Sequence, residues 1–205
     1  MEKKLRSKKE LRNEILRLRD SLSAEERKEK SHLIAEKVIA QKEFVEADKV
    51  LLFASFKSEV ETQAIFRAAR AADKVVYYPK IVGKEMEFYL VEKAEDLSEE
   101  CWGIREPKAS PEKKFLAYPE DKICVIMPGA VFDTEGNRIG YGGGYYDKFL
   151  QTLEGLHSKD SQNGFVYKLA LAFECQMVPL GLIQSEDYDI KPDKIIQPAH
   201  TNGKY

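Results

Sequence analysis

Lys122-Ile-Cys-Val-Ile-Met-Pro-Gly-Ala-Val-Phe-Asp-Thr-Glu-Gly-Asn-Arg-Ile-Gly-Tyr-Gly-Gly-Gly-Tyr-Tyr-Asp147 is the stretch on which the fold turns. It begins as an unbroken apolar run, the pattern of a strand covered on both faces, and breaks at Pro128-Gly129. Gly140, Gly142, Gly143 and Gly144 then lead into a helix expected from Tyr145 to Leu153. Strand, glycine turn and helix in that order place the turn at the carboxyl end of a strand, where open α/β sheets bind ligands. Amides without a neighbouring β-carbon can approach a bulky anion, and the helix aims its positive end at the same point. A flexible turn capping a helix is the plainer reading. Four glycines so close together make a costly turn if nothing binds there, so an anion cradle is favoured. Arg138 supplies a permanent cation, and Asp147 lies about one helical turn beyond the glycines, where a carboxylate can hold a Mg²⁺ that bridges phosphates. No Lys-Ser or Lys-Thr follows the glycines, as a P-loop requires. Tyr145 stands where a dinucleotide fingerprint has its last glycine.

Working outward, apolar runs at Lys49–Ser55, Val75–Tyr78 (ended by Pro79), Met86–Val91, Leu169–Phe173 and Ile195–Ile196 read as strands, the third turning back at Gly83-Lys84. Leu5, Leu11, Ile15 and Leu18 recur at helical spacing between Lys3 and Arg19. Ser23 with Glu26 forms a capping box for a second helix running to Ile39, and Thr62 can cap a third that carries Ile65, Phe66, Ala68 and Ala69. Strands alternating with helices predict an α/β fold, with a mostly parallel sheet covered on both faces. Residues 92–121, with Pro107, Pro111, Pro119 and Trp102, read as a long loop with short elements. The polar segment from Gly155 to Tyr167 holds the turn pair Asn163-Gly164.

The chain has 205 residues, which fits one domain over 1–205. Its 33 Lys and Arg nearly balance its 35 Asp and Glu, for a net charge of −2, which excludes a whole-surface nucleic-acid binder. No apolar run approaches the ~20 residues that span a bilayer, and the basic N-terminus lacks the apolar core of a secretory signal. Cys101, Cys124 and Cys175 are scattered, as are His32, His157 and His200, so neither a disulfide framework nor a zinc site is expected. A cytoplasmic protein without a membrane or nucleic-acid partner is the expectation.

Three further pieces carry polar groups that suit a ligand. Lys8 and Arg12 project from one helix face and can grip a polyphosphate, or be ordinary solvated charges. Glu59 follows the first strand and can accept two hydrogen bonds from a heterocycle, or belong to a polar loop before the next helix. Asp189 sits in an acidic loop that is of interest only if the fold brings it beside Asp147.

Together these pieces resemble the 5-formyltetrahydrofolate cyclo-ligase family, also called methenyltetrahydrofolate synthetase, from Lys8-x-x-Leu11-Arg12 to the Asp189 loop. Arg138-Ile-Gly-Tyr-Gly-Gly-Gly-Tyr-Tyr-Asp147 is the most specific piece. Pro128-Gly-x-x-Phe132-Asp133, Trp102-Gly-Ile-Arg-Glu-Pro107 and Phe173-Glu-x-Gln176 are further landmarks. The resemblance implies a three-layer α/β/α sandwich, and conversion of 5-formyltetrahydrofolate and ATP to 5,10-methenyltetrahydrofolate, ADP and phosphate with Mg²⁺. It implies that Lys8 and Arg12 contact ATP phosphates, and that Arg138, Ile139, Gly140, Tyr141, Gly142, Gly143, Gly144, Tyr145 and Tyr146 surround the nucleotide. Tyr141 to Tyr145 would also border the folate, with Ala54 and Glu59 at the reduced pterin and Asp147 and Asp189 at Mg²⁺. Arg138 and Asp147 are the expected catalytic pair, in a monomer whose partners are reduced folate and ATP. Relatives often carry Arg or Lys among the glycines where this chain has Tyr141 and Gly143, so phosphate neutralisation leans on Arg138, Lys8 and the metal. The competing readings are a sugar-phosphate isomerase or acyl-CoA transferase on a similar scaffold, which need a general base or a carboxylate nucleophile, and a non-catalytic nucleotide or folate binder.

Overall fold

The computed structural model of the chain describes residues 6–101, 103–156 and 164–198. Trp102, Asn163, His157, His200 and the start expected for the first helix, Lys3 to Leu5, lie outside the described residues. Helices α1 (Lys8–Asp20) and α2 (Ala24–Ile39) each open on a capping box, Ser7 with Glu10 and Ser23 with Glu26. Ser7 caps α1 at Lys8: its hydroxyl accepts the Glu10 amide and the Glu10 carboxylate accepts the Ser7 amide. There follow α3 (Lys42–Glu46), β1 (Lys49–Leu51), α4 (Gln63–Ala71), β2 (Val75–Val82), β3 (Glu85–Leu90), β4 (Glu99–Cys101) and β5 (Ile104–Glu106). The chain continues with β6 (Lys122–Met127), β7 (Val131–Phe132), β8 (Arg138–Ile139), α5 (Tyr145–Leu156), β9 (Phe165–Leu171) and β10 (Lys194–Ile196).

Six strands form one sheet in the order β10-β9-β6-β1-β2-β3, parallel except for the edge strand β3. From β1 the chain adds strands on one side through β2 and β3, then on the other through β6, β9 and β10. The direction reverses between β1 and β6, and at such a switch point the loops leaving the two strands diverge and open a crevice.

Side chains alternate across this sheet with period two. Val50, Cys124, Ile126, Leu169 and Leu171 pack on one face with Ile34 and Val38 of α2, Phe44 of α3 and Ile65 and Ala69 of α4. Leu51, Ile123, Val125, Met127 and Ala170 point to the other face, against Leu150 and Leu153 of α5. Helices therefore cover both faces, and the fold is the expected three-layer α/β/α sandwich. Leu11 and Ile15 of α1 join Val131 and Ile139 of the β7–β8 hairpin in a third cluster.

Several boundaries differ from the sequence reading. β2 runs through Pro79 to Val82, because beyond Tyr77 it pairs only with β3 and no longer with β1. β9 starts four residues earlier than Leu169. Lys168 interrupts the apolar run, but its ammonium is neutralised by Glu154 at 2.5 Å and Asp193 at 3.2 Å, which lets it sit in a strand. β1 ends at Leu51; the Leu52 amide still donates to the Tyr77 carbonyl of β2, and residues 53–55 continue toward the crevice outside any strand. Neither α3 nor the two short hairpins were apparent from periodicity.

Candidate active site

A cavity of about 620 Å³ opens at the carboxyl ends of β1 and β6. Phe53, Ala54 and Glu59 enter it from beyond β1, and Pro128 from the end of β6. Arg138 and Ile139 of β8, the glycine turn, and Tyr145 to Asp147 at the start of α5 form a second wall. Lys8 and Arg12 of α1 close one side together with Asp189. Every site residue singled out in the sequence thus lines one pocket. The sequence did not point to the apolar wall from Phe53, Phe56, Ile81, Met86 and Ile104, nor to Lys80, Glu106, Lys148 and Tyr188. Ile104 and Glu106 belong to β5, so the 92–121 segment does reach the pocket, as a hairpin wall.

Local chemistry fixes the glycine turn. Buried Asp133 accepts hydrogen bonds from the Glu135 and Asn137 amides at 3.0 Å and from the Asn137 side chain at 2.8 Å, which tightens the β7–β8 turn. The Gln176 side-chain amide donates to the Gly129 and Ala130 carbonyls and accepts the Phe173 amide, tying the exit of β6 to the turn that follows β9. Gly142 and Gly144 adopt φ of +100° and +63°, a region that L side chains rarely enter. A β-carbon at Gly143 would lie 2.5 Å from the Tyr145 ring, so this ring takes the space of a side chain at 143.

The charged groups are paired across elements. Arg138 Nη2 donates to Asp147 Oδ1 at 2.7 Å, and the Ile190 amide donates to the same oxygen at 3.1 Å. Lys8 Nζ donates to Asp189 Oδ2 at 3.1 Å, and that oxygen also accepts the Glu186 amide. Asp147 and Asp189 are therefore brought into one region, as the resemblance required, since Ile190 is the neighbour of Asp189. Arg12 Nη1 reaches the Gly140 carbonyl at 3.4 Å. Arg138 Nε and the Tyr146 hydroxyl are buried without a hydrogen-bond partner among the described residues.

Glu59, which the glycine turn reaches through Tyr141, is 8% exposed. Burial pushes its carboxyl above the ordinary glutamate range, against the lowering effects of the Tyr141 hydroxyl, the Phe56 amide and the Arg19 charge. Tyr141 donates to Glu59 Oε1 at 2.5 Å and accepts from Arg19 Nη1 at 2.9 Å. Desolvation also raises the Tyr141 and Tyr146 phenols, with the Glu59 charge adding to both. Among the described residues no group of three or more His, Cys, Asp or Glu gathers as a metal site, and no helix is long and apolar enough to cross a membrane.

An open α/β sheet with a switch-point crevice lined by glycine amides, cations and carboxylates defines a small-ligand-binding protein of the doubly wound class. Residues 4–198 match the 5-formyltetrahydrofolate cyclo-ligase family, and the chain belongs to that family of ligases. It is 29% identical to the 5-formyltetrahydrofolate cyclo-ligase of Mus musculus over 195 residues, covering 93% of each chain. With the enzyme of Escherichia coli K12 the identity is 28% over 189 residues, 90% of this chain and 97% of the other. Among solved structures, a 5,10-methenyltetrahydrofolate synthetase from Aquifex aeolicus superposes with a TM-score of 0.75 at 28% identity, over 94% of this chain and 90% of that one. A second, from Mycoplasma pneumoniae, shares the fold with a TM-score of 0.68 at 22% identity, over 94% of this chain and 99% of the other. The protein is an enzyme, and family and relatives alike point to 5-formyltetrahydrofolate cyclo-ligase activity.

Proposed function

We propose that the protein closes 5-formyltetrahydrofolate to 5,10-methenyltetrahydrofolate at the expense of ATP, releasing ADP and phosphate. The observation that carries this reading is the convergence, on one cavity, of a glycine turn, two cation–carboxylate pairs and a buried Glu59. An N-formyl carbon is a poor electrophile, and its oxygen a poor leaving group. Transfer of the γ-phosphoryl group to that oxygen gives an iminium phosphate. N10 of the same folate attacks the carbon and loses its proton, and phosphate departs with the former formyl oxygen. The substrate brings its own nucleophile, so the protein's task is positioning and charge compensation.

Each group then has a part. The turn amides of 140–144, Lys8, Arg12 and Arg138 receive the phosphates, with Tyr145 and Tyr146 beside them. Ala54 and Glu59 receive the pterin, Glu59 accepting its amino and ring N–H hydrogens. Asp147 and Asp189 are the carboxylates that would hold Mg²⁺, a hard cation that oxygen ligands suit. When bound, the ion neutralises charge on the transferring phosphoryl group. Asp147 and Asp189 are balanced by Arg138 and Lys8 in the free protein, so each cation could turn to a phosphate if its carboxylate were to hold the ion. The reading extends to one domain, acting as a cytoplasmic monomer on small molecules.

Incubating the protein with 5-formyltetrahydrofolate and following methenyltetrahydrofolate absorbance, with and without Mg-ATP, tests it. Product is expected only with both ATP and Mg²⁺. Product without ATP, or tight binding of both ligands without turnover, rejects the reading.

A further inference from the structure

Lys8, Arg12 and Arg19 are separated by four and seven residues on α1, and at about 100° per residue they share one face of the helix. The first two point to the phosphate side of the cavity. Arg19 is of another kind: it is 3% exposed, and its partners are the neutral Ser58 hydroxyl at 3.0 Å and the Tyr141 hydroxyl at 2.9 Å. Burying a guanidinium is unfavourable unless its charge is answered. Its place in the last turn of α1, where the helix dipole favours a cation, supplies part of the answer. Two carboxylates supply the rest, each through a hydroxyl: Asp20 through Ser58 and Glu59 through Tyr141.

A phenol has one proton to donate. With Arg19 donating to the Tyr141 oxygen, the Tyr141 proton is directed to Glu59 Oε1, at 2.5 Å, while Glu59 Oε2 accepts the Phe56 amide at 2.9 Å. One donor on each oxygen fixes the plane of the carboxylate and leaves each oxygen a further acceptor position for a ligand. Ser58, adjacent in sequence, is held between Arg19 and Asp20, which anchors the same loop to the end of α1. We infer that Arg19 is a positioning residue for the reduced folate: acting through the Tyr141 hydroxyl, it orients Glu59 to receive the pterin. The inference rests on the proposed function. It separates the roles along α1, with Lys8 and Arg12 serving the nucleotide and Arg19 the folate, and it assigns Tyr141 to folate orientation in place of the phosphate contact of a basic side chain.

Steady-state kinetics and equilibrium binding of 5-formyltetrahydrofolate, on the full chain, test it with Tyr141→Phe, Arg19→Leu, the double variant and Arg19→Lys. Each of the first two is expected to raise KM and Kd for the folate about tenfold, as for loss of a hydrogen bond to a charged group, with KM for Mg-ATP held within about twofold. Because both residues act through one chain of hydrogen bonds, the double variant should be no weaker than the worse single one. Arg19→Lys, which keeps the charge, should recover part of the affinity. A latch that only stabilises the fold would lower the melting temperature and leave both constants unmoved, or move both together; either result overturns the inference. Tyr141 is half exposed, so Tyr141→Phe remains decisive even if Arg19→Leu does not fold. Variants with unaltered folate KM beside an active wild type overturn this inference alone. A wild type that neither binds nor converts the folate overturns the proposed function, and this inference with it.

Discussion

Asp147 Oδ1 is held by Arg138 and by the Ile190 amide, and the role proposed for the residue needs its charge as well as its position. Asp147→Asn keeps an acceptor for those two donors and removes the charge. Losing a charge-assisted interaction of about 1.5–3 kcal/mol should slow turnover about ten- to hundredfold, with a higher Mg²⁺ concentration needed for half-maximal rate. Circular dichroism should remain that of the folded protein. A variant with wild-type rate and Mg²⁺ dependence removes Asp147 from the site. Glu59 makes a second residue-level prediction, in pH. Its pKa is raised by burial, so in the folded chain it holds its proton to higher pH than in the unfolded one. By linkage, its contribution to stability is favourable below the unfolded value and is lost as pH rises through the folded one. Binding the pterin uses the ionised form, so kcat/KM for the folate should fall in acid with a midpoint above the ordinary glutamate value of about 4.3. Tyr141 and Tyr146, both pushed upward by burial, keep their protons through this range. The Tyr141 hydroxyl works to lower the Glu59 pKa, so Tyr141→Phe should move that midpoint to still higher pH. A midpoint within the ordinary range, unmoved in the variant, would show that Glu59 is not the group being read.

Among the elements, α1 joins stability to the site most directly, since Lys8 is its first residue and Ser7 its cap. Ser7→Ala should cost about 1 kcal/mol and lower the melting temperature by about 2–4 °C. It should also raise KM for Mg-ATP, because fraying the first turn releases Lys8 from the pocket rim. Thermal unfolding and KM measured on the same preparation check this; a melting shift with unchanged KM would place Lys8 outside nucleotide binding. α1 also shows where sequence reasoning reached its limit. Lys8, Arg12, Glu59 and Asp189 were each individually indistinct from solvated charge, and became a site only when ordered around the glycine turn. Arg19 carried the same helical spacing, but a cation that ends up buried looks in sequence like any other at a helix terminus. The β6–turn–α5 unit was legible because apolar run, glycines and helix succeed one another locally. Strand ends at Pro79 and Lys168 were not, since they depend on which neighbour is paired and where a counter-charge lies.

At the scale of the whole molecule, the cavity is assembled from segments that lie far apart in sequence: α1, the exit of β1, the β2–β3 edge, β5, β8 with the glycine turn, and the Asp189 loop. The sheet core does not need this cavity filled, since its two apolar layers are closed by helices on either side. A ligand that touches all the segments therefore adds contacts that the free protein lacks, and its binding energy appears as added stability of the native state. For a single site at a hundredfold excess over Kd, mass action gives about 2.7 kcal/mol, which for a chain of this size is about 5–10 °C in melting temperature. Mg-ATP and 5-formyltetrahydrofolate should each raise the melting temperature, and a non-hydrolysable ATP analogue with the folate should raise it further than either alone, because α1 and the glycine turn contribute to both subsites. Fluorimetric melting across the four conditions checks this. Equal shifts with one ligand and with both would mean that the two compete for one subsite, contrary to the side-by-side arrangement that transfer of a phosphoryl group to the formyl oxygen requires.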